Sequence, residues 1–270
     1  MTLMPVSVIC CDLSCRPRGE RLAAALALPL IIGRQNVSSY EWPAGDYVLE
    51  ITDDGVSVRS AGPKSVLVRC DFVYGALAHR RRFGGGRGQA IARAIGIKGG
   101  RTLAVADLTA GLGRDGFVLA TLGARVWMME RHPVVAALLA DGLARAALAA
   151  QDDPALQAIM ARLTQVTGDG RGWLRQLAAT ERPDVIYLDP MFPERSKSAS
   201  VKKEMAVLQE IVGADDDADQ LLSEALNCAR YRVVVKRPRL APVLGAARPG
   251  YSLEGKSTRY DIYPLRKIPD

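Results

Sequence analysis

The chain has 270 residues, 49% of them hydrophobic, which is enough to bury a full core and excludes global disorder. Its formal charge is +7 and its sequence pI about 9.3, which favours a polyanionic partner over an acidic one. The longest apolar run, Leu22 to Ile32, is too short for a transmembrane span and has no cleavage-site pattern, so a cytoplasmic protein with no membrane partner is expected.

Residues 1 to 75 read as a small amino-terminal α/β unit. An apolar strand near Val6 to Cys11 precedes a helix over Arg18 to Leu28. Two alternating segments, Tyr47 to Thr52 and Gly55 to Arg59, then flank Asp53-Asp54-Gly55, a hairpin signal. The five cysteines, Cys10, Cys11, Cys15, Cys70 and Cys228, form no paired-ligand pattern with His79 and His132. Reduced thiols and no metal are expected.

Residues 76 to 100 form a connecting segment and helix. The run His79-Arg80-Arg81-Arg82-Phe83-Gly84-Gly85-Gly86-Arg87-Gly88 sets four arginines and an aromatic among glycines. Glycine lets a backbone approach a ligand, arginine pairs with phosphate in a fork, and Phe83 offers a stacking face, so a substrate-contacting loop is favoured over a flexible basic linker.

From residue 101 to 270, short apolar strands alternate with helical stretches, the pattern of a parallel sheet built from βαβ units. The strands read as Leu103 to Asp107, Arg125 to Glu130, Leu163 to Gly168, Asp184 to Asp189 and Tyr231 to Lys236. Ser257 to Leu265 alternates and follows without a long helix, which suits an antiparallel strand at the edge of the sheet.

The first strand runs into a turn holding Gly111, Gly113 and Gly116, which by spacing alone fits either a dinucleotide or S-adenosylmethionine. An acidic strand end, Asp107, would repel a pyrophosphate but suits an ammonium. Arg114 and Asp115 then fall near the amino-acid end of the cofactor, and Glu130 can accept both ribose hydroxyls. Charge compensation at a helix start is the plainer reading of Asp115. Asp169-Gly170, after the third strand, would receive the adenine, although Asp-Gly is first a turn signal.

The fourth strand ends in Asp189-Pro190-Met191-Phe192-Pro193. At the carboxyl edge of a parallel sheet this places a carboxylate, a carbonyl and a ring at the ligand crevice. Asp189 and the Pro190 carbonyl could each accept an N–H bond from an exocyclic amine, and Phe192 could stack on the base, worth about 1 to 3 kcal/mol. An ordinary Asp-Pro turn is the bland alternative. Of the basic residues nearby, Arg81, Arg87 and Lys236 are favoured as contacts to a polyanionic substrate, with Arg80, Arg82 and Arg237 beside them.

The order of these motifs resembles the class I S-adenosylmethionine-dependent methyltransferases. Residues 78–88, Asp107 through Asp115, Glu130-Arg131, Tyr187 through Pro193, Ser198 through Met205 and Val233 through Pro238 are similar to the RsmJ (YhiQ) family of small-subunit ribosomal RNA guanine-N2 methyltransferases, over about Phe72 to Tyr263. The resemblance implies a Rossmann-like fold, with a mostly parallel seven-stranded sheet and helices on both faces. It implies cofactor contact by Arg114, Asp115, Glu130, Arg131, Asp169, Gly170 and Asp189. It further implies methylation of one guanosine of 16S ribosomal RNA, free or in the small subunit; a monomer is expected. A DNA or protein methyltransferase, a nicotinamide oxidoreductase and a silent RNA-binding module are the competing readings. Asp107 and the lack of a proton-relay histidine speak against the oxidoreductase.

Overall fold

The computed structural model describes residues 6–32, 47–61, 65–74, 77, 86–191 and 200–269. In chain order the elements are β1 (Val6–Cys10), α1 (Arg16–Leu26), β2 (Leu30–Ile32), β3 (Tyr47–Thr52), β4 (Gly55–Ser60), β5 (Leu67–Val68), α2 (Ala90–Ile95) and β6 (Ala104–Asp107). There follow α3 (Arg114–Thr121), β7 (Arg125–Glu130), α4 (Pro133–Ala149), α5 (Pro154–Met160), β8 (Leu163–Thr167), α6 (Gly170–Gln176), β9 (Val185–Leu188), α7 (Ser200–Val212), α8 (Ala218–Cys228), β10 (Arg232–Pro238), β11 (Tyr251–Glu254) and β12 (Thr258–Pro264). No described helix is long and apolar enough to cross a membrane.

Contacts divide the chain into two compact units that are discontinuous in sequence, whereas the expected division was linear. The first comprises Met1–Cys70, His132–Arg145 and Pro193–Ala214, and the second comprises Asp71–Arg131, Ala146–Phe192 and Asp215–Asp270. Most of α4 and all of α7 therefore group with the amino-terminal strands.

The first unit carries a five-stranded sheet in the order β2-β1-β3-β4-β5. The expected hairpin joins β3 and β4, with Thr52 opposite Gly55, whose φ of 129° no bulky residue would adopt easily. Helix α1 starts two residues earlier than its apolar pattern suggests and ends where Ala27 turns left-handed. Asp141, on α4, is buried and receives both Arg18 and Arg145, and Gly142 lies so close to Cys70 that an added Cβ would sit 2.5 Å from its sulfur.

The second unit is a Rossmann-like α/β fold around a seven-stranded sheet ordered β11-β12-β10-β9-β6-β7-β8. Strands β8, β7, β6, β9 and β10 are parallel, and β12 pairs antiparallel with β10 through all seven of its residues. The carboxyl-terminal strand is thus antiparallel as expected, but it is not the edge. Tyr251–Glu254, which carries only four residues of weak alternation, adds β11 outside it.

Side chains of opposite parity face opposite layers. Ala106, Leu108, Ile186, Leu188, Val233 and Val235 pack with Leu174 of α6 and Leu222 and Ala225 of α8, and Trp127 meets Trp173 with centroids 6.0 Å apart. On the other face, Gly116 of α3 lies against Met128, and Arg232 reaches the Ala94 carbonyl of α2. Helices therefore cover both faces, and the strand order reverses between β6 and β9, the point where such sheets open a ligand crevice at their carboxyl ends.

Candidate active site

At that crevice the backbone after β6 is fixed to both neighbouring strands. Leu108 donates to the Tyr187 carbonyl at 3.1 Å, and Ala110 donates to the Met129 carbonyl at 2.8 Å. The chain then turns through Gly111 (φ 54°) and Gly113 (φ 69°), the latter capping α3. A Cβ at Gly111 would meet nothing within 4 Å, so the turn opens on free space. Gly111 donates to the Glu130 carboxylate at 3.0 Å, which ties the end of β7 to the glycine turn.

Five groups that the sequence separates by up to 129 positions meet on one face. Lys236 lies 2.7 Å from both Asp115 and Asp189, the Tyr187 hydroxyl donates to Asp115 at 2.6 Å, and Asp107 is buried beside them. Parity explains the meeting, because Asp107, Tyr187, Asp189 and Lys236 all point to the α3 side of adjacent strands. Burial, and then the Asp115 charge, push the Asp107 carboxyl well above its ordinary range. Burial also pushes Asp189 up while Lys236 pulls it back, and 40% of its side chain stays exposed. Although burial works against the Lys236 ammonium, Asp189 and Asp115 more than offset it and hold lysine above its ordinary value.

The Asp-Pro-Met backbone is held from two sides. Asp189 N–H donates to the Thr109 hydroxyl at 2.6 Å, and Met191 N–H donates to Asp215 at 2.6 Å. Pro190 is buried. Thr109 and Asp215 are site residues that sequence reasoning missed. Thr109 sits inside the glycine turn, and Asp215 begins an acidic run whose target was a matter of tertiary structure.

Other expected site residues fall as follows. Arg114 is exposed at the first position of α3. Asp169 caps α6 through the Arg171 N–H, and Gly170 lies where an added Cβ would be 3.2 Å from Leu108, which brings this turn against the end of β6. Arg131 is held by Asp217 at 2.7 Å and by Asp215, so it supports the Asp215 anchor. Two basic residues expected on an RNA surface are turned inward: Lys236 is engaged by carboxylates, and Arg237, 4% exposed, donates to the Pro242 carbonyl. Their β-strand parity points one into the acidic cluster and the other under the loop after β10. Arg80, Arg81, Arg82, Phe83 and Phe192 lie outside the described residues, as does the Arg87 side chain.

A family model of SAM-dependent methyltransferases, SAM_MT, matches residues 35–265. Ribosomal RNA small subunit methyltransferase J of Cellvibrio japonicus is 50% identical over 264 residues, covering 96% of this chain and 97% of the relative. The protein of the same name from Saccharophagus degradans is 56% identical over 217 residues, 78% of this chain and 80% of that one. The crystal structure of a SAM-dependent methyltransferase from Neisseria gonorrhoeae superposes with a TM-score of 0.69 at 37% identity, over 96% of each chain. With that likeness running through the glycine turn and the Asp-Pro-Met strand end alike, the chain belongs to the ribosomal RNA small subunit methyltransferase J family of S-adenosylmethionine-dependent methyltransferases.

Proposed function

We propose that the chain transfers a methyl group from S-adenosylmethionine to the exocyclic N2 of one guanosine in 16S ribosomal RNA, acting as a cytoplasmic monomer. The observation that carries this reading is Asp189-Pro190 at the carboxyl end of β9, next to Asp107 across the reversal of strand order, with its backbone braced by Thr109 and Asp215. The names of the relatives support RNA of the small subunit as substrate.

The residues present fit the cofactor. The turn at Gly111 has room for a ligand against its backbone, and Glu130 ends β7 with a carboxylate able to accept ribose hydroxyls. Asp107, Gly111, Gly113, Arg114, Asp115, Asp169 and Gly170 surround the same strand ends, with Arg131 held just behind. S-adenosylmethionine supplies an electrophilic methyl on a sulfonium, so no metal or covalent intermediate is required. Orientation is the protein's main contribution.

Asp189 and the Pro190 carbonyl hold the amine by its N–H groups and turn the nitrogen lone pair toward the methyl; Phe192 supplies the stacking face. Lys236 keeps Asp189 ionised, because a neutral carboxyl would donate where an acceptor is needed. The surplus proton on nitrogen leaves through the partly exposed Asp189 to water. Arg80, Arg81, Arg82, Phe83 and Arg87 supply phosphate and stacking contacts.

The test is mass mapping of 16S ribosomal RNA from cells lacking the gene, rescued by the intact protein or by Asp189→Ala. One missing N2-methylguanosine restored only by the intact protein is the expected result. An unchanged modification pattern would overturn the reading.

A further inference from the structure

The direction of the Pro190 carbonyl depends on very little backbone freedom. The pyrrolidine ring fixes Pro190 φ at about −65°, and Asp189, as the residue before a proline, is confined to extended backbone. Pro190 ψ is the soft torsion left to decide where the carbonyl points. Rotation about it swings the whole Pro190–Met191 peptide, which is planar and trans, so its carbonyl and its N–H point in opposite directions. Whatever holds the Met191 N–H therefore also sets the carbonyl.

Asp215 is that partner. Its Oδ2 accepts from the Met191 N–H at 2.6 Å, while its Oδ1 faces the Arg131 guanidinium. The carboxylate is itself held in place. Arg131 forks, its other terminal nitrogen lying 2.7 Å from Asp217, and Asp217 is gripped again by Arg171 at 2.8 Å. The Asp215 backbone is tied as well, because the Ala218 N–H donates to its carbonyl at 3.1 Å where α8 begins. An ordinary surface ion pair would leave the second carboxylate oxygen in water. Here 15% of the side chain is exposed and the second oxygen meets a backbone N–H 24 positions away.

The sheet gives this hold a direction. Helix α8 covers the face that carries Leu188, whereas the Asp189 carboxylate lies on the other face with Asp115 and Lys236. A Met191 N–H drawn toward the start of α8 turns the Pro190 carbonyl the opposite way, to the face of the Asp189 carboxylate.

We propose that Asp215 is a positioning residue for methyl transfer: by holding the Met191 N–H it aims the Pro190 carbonyl at the target amine, so that this carbonyl and the Asp189 carboxylate accept from its two N–H groups together. The inference rests on the amine-methylation reading above. A carboxylate suits the task because a hydrogen bond to a charged acceptor is about twice as strong as a neutral one, and Arg131 balances the charge so introduced. Asp215 acts through Pro190 and need touch neither cofactor nor base.

The test compares Asp215→Ala with Asp215→Asn in the full chain, using S-adenosylmethionine with small ribosomal subunits, and with the RNA extracted from them, from cells lacking the gene. At saturating cofactor and substrate, the single-turnover rate of the Ala form should fall about 10- to 100-fold, whereas the Asn form, whose amide oxygen still accepts from Met191, should stay within about threefold of the parent. Cofactor affinity by calorimetry should be unchanged in both, which a general collapse of the site would not allow. With the seven methionine nitrogens isotopically labelled, the Met191 amide should exchange slowly with deuterium oxide in the parent and the Asn form, and fast in the Ala form. Parental turnover in the Ala form overturns the proposal. So does an Asn form as slow as the Ala form, which would make charge the cause, and so does cofactor affinity that falls as far as the rate. A freely exchanging Met191 amide in the parent overturns it even where the Ala form does not fold. No methyl transfer by the parent to either substrate would instead overturn the amine-methylation reading, and this inference with it.

Discussion

At the scale of single residues, the site is an acidic cluster held together by one ammonium. Replacing Lys236 by Met leaves Asp115 and Asp189 facing each other beside Asp107. Without the ammonium that pulls it down, the Asp189 carboxyl rises further, so the acid limb of the turnover profile should move to higher pH. Stability should fall by about 1 to 3 kcal/mol at pH 8, less than for a fully buried pair because Asp189 is partly exposed. A raised carboxyl contributes its stability below its unfolded pKa and loses it as pH rises, so the deficit should shrink toward pH 5; an equal deficit at both ends would contradict the cluster. Asp107→Asn follows the same logic on its own. Burial raises Asp107, and charging it costs more as pH rises, so the unfolding midpoint of the Asn form relative to the parent should climb from pH 5 to 9. Asp189→Ala and Phe192→Ala should lower turnover more than cofactor affinity, as both are assigned to the base; isothermal titration with S-adenosylmethionine beside single-turnover rates separates the two effects.

At the scale of elements, the strands were legible because each apolar run is short and bounded by turn residues. Leu103 to Asp107 and Asp184 to Asp189 contain the observed β6 and β9. The missed strand β11 has exposed or half-exposed residues throughout, so no apolar alternation marked it. Helix α3 carries Asp115 in its first turn. It packs on β7 through Gly116, where a methyl group would meet Met128 sulfur at 2.7 Å. Gly116→Ala should therefore cost about 1 to 3 kcal/mol in denaturant unfolding and weaken cofactor binding with it, the flexible methionine keeping the loss near the lower figure. Trimming the obstacle with Met128→Ala in the same chain should restore part of the binding; an unaffected single variant would show that the helix does not rest there.

At the scale of the whole molecule, the cysteines report on packing. Cys10, Cys15, Cys70 and Cys228 are buried, and burial followed by the Glu50 charge pushes the remaining Cys11 up to about 12. A thiol reagent at pH 8 should thus find all five slow in the native protein and fast in guanidinium, and a rapid native thiol would contradict this packing. The basic character is likewise distributed by folding rather than by composition. Lys236 and Arg237 are adjacent in a basic run, yet strand parity turns one into the acidic cluster and the other beneath a loop, while Lys98, Arg232 and Arg266, far apart in sequence, converge on one cavity. Sequence by itself determined the parallel strands β6 to β10, the glycine turn after β6 and the Asp-Pro end of β9, because hydrophobic period and turn chemistry are local properties. Only the tertiary structure decided that Thr109 holds the Asp189 N–H and Asp215 the Met191 N–H, that Lys236 pairs with the Asp189 carboxylate, and which arginines face outward. Those pairings depend on which strands become neighbours and which face each residue takes, and both are settled when the sheet assembles.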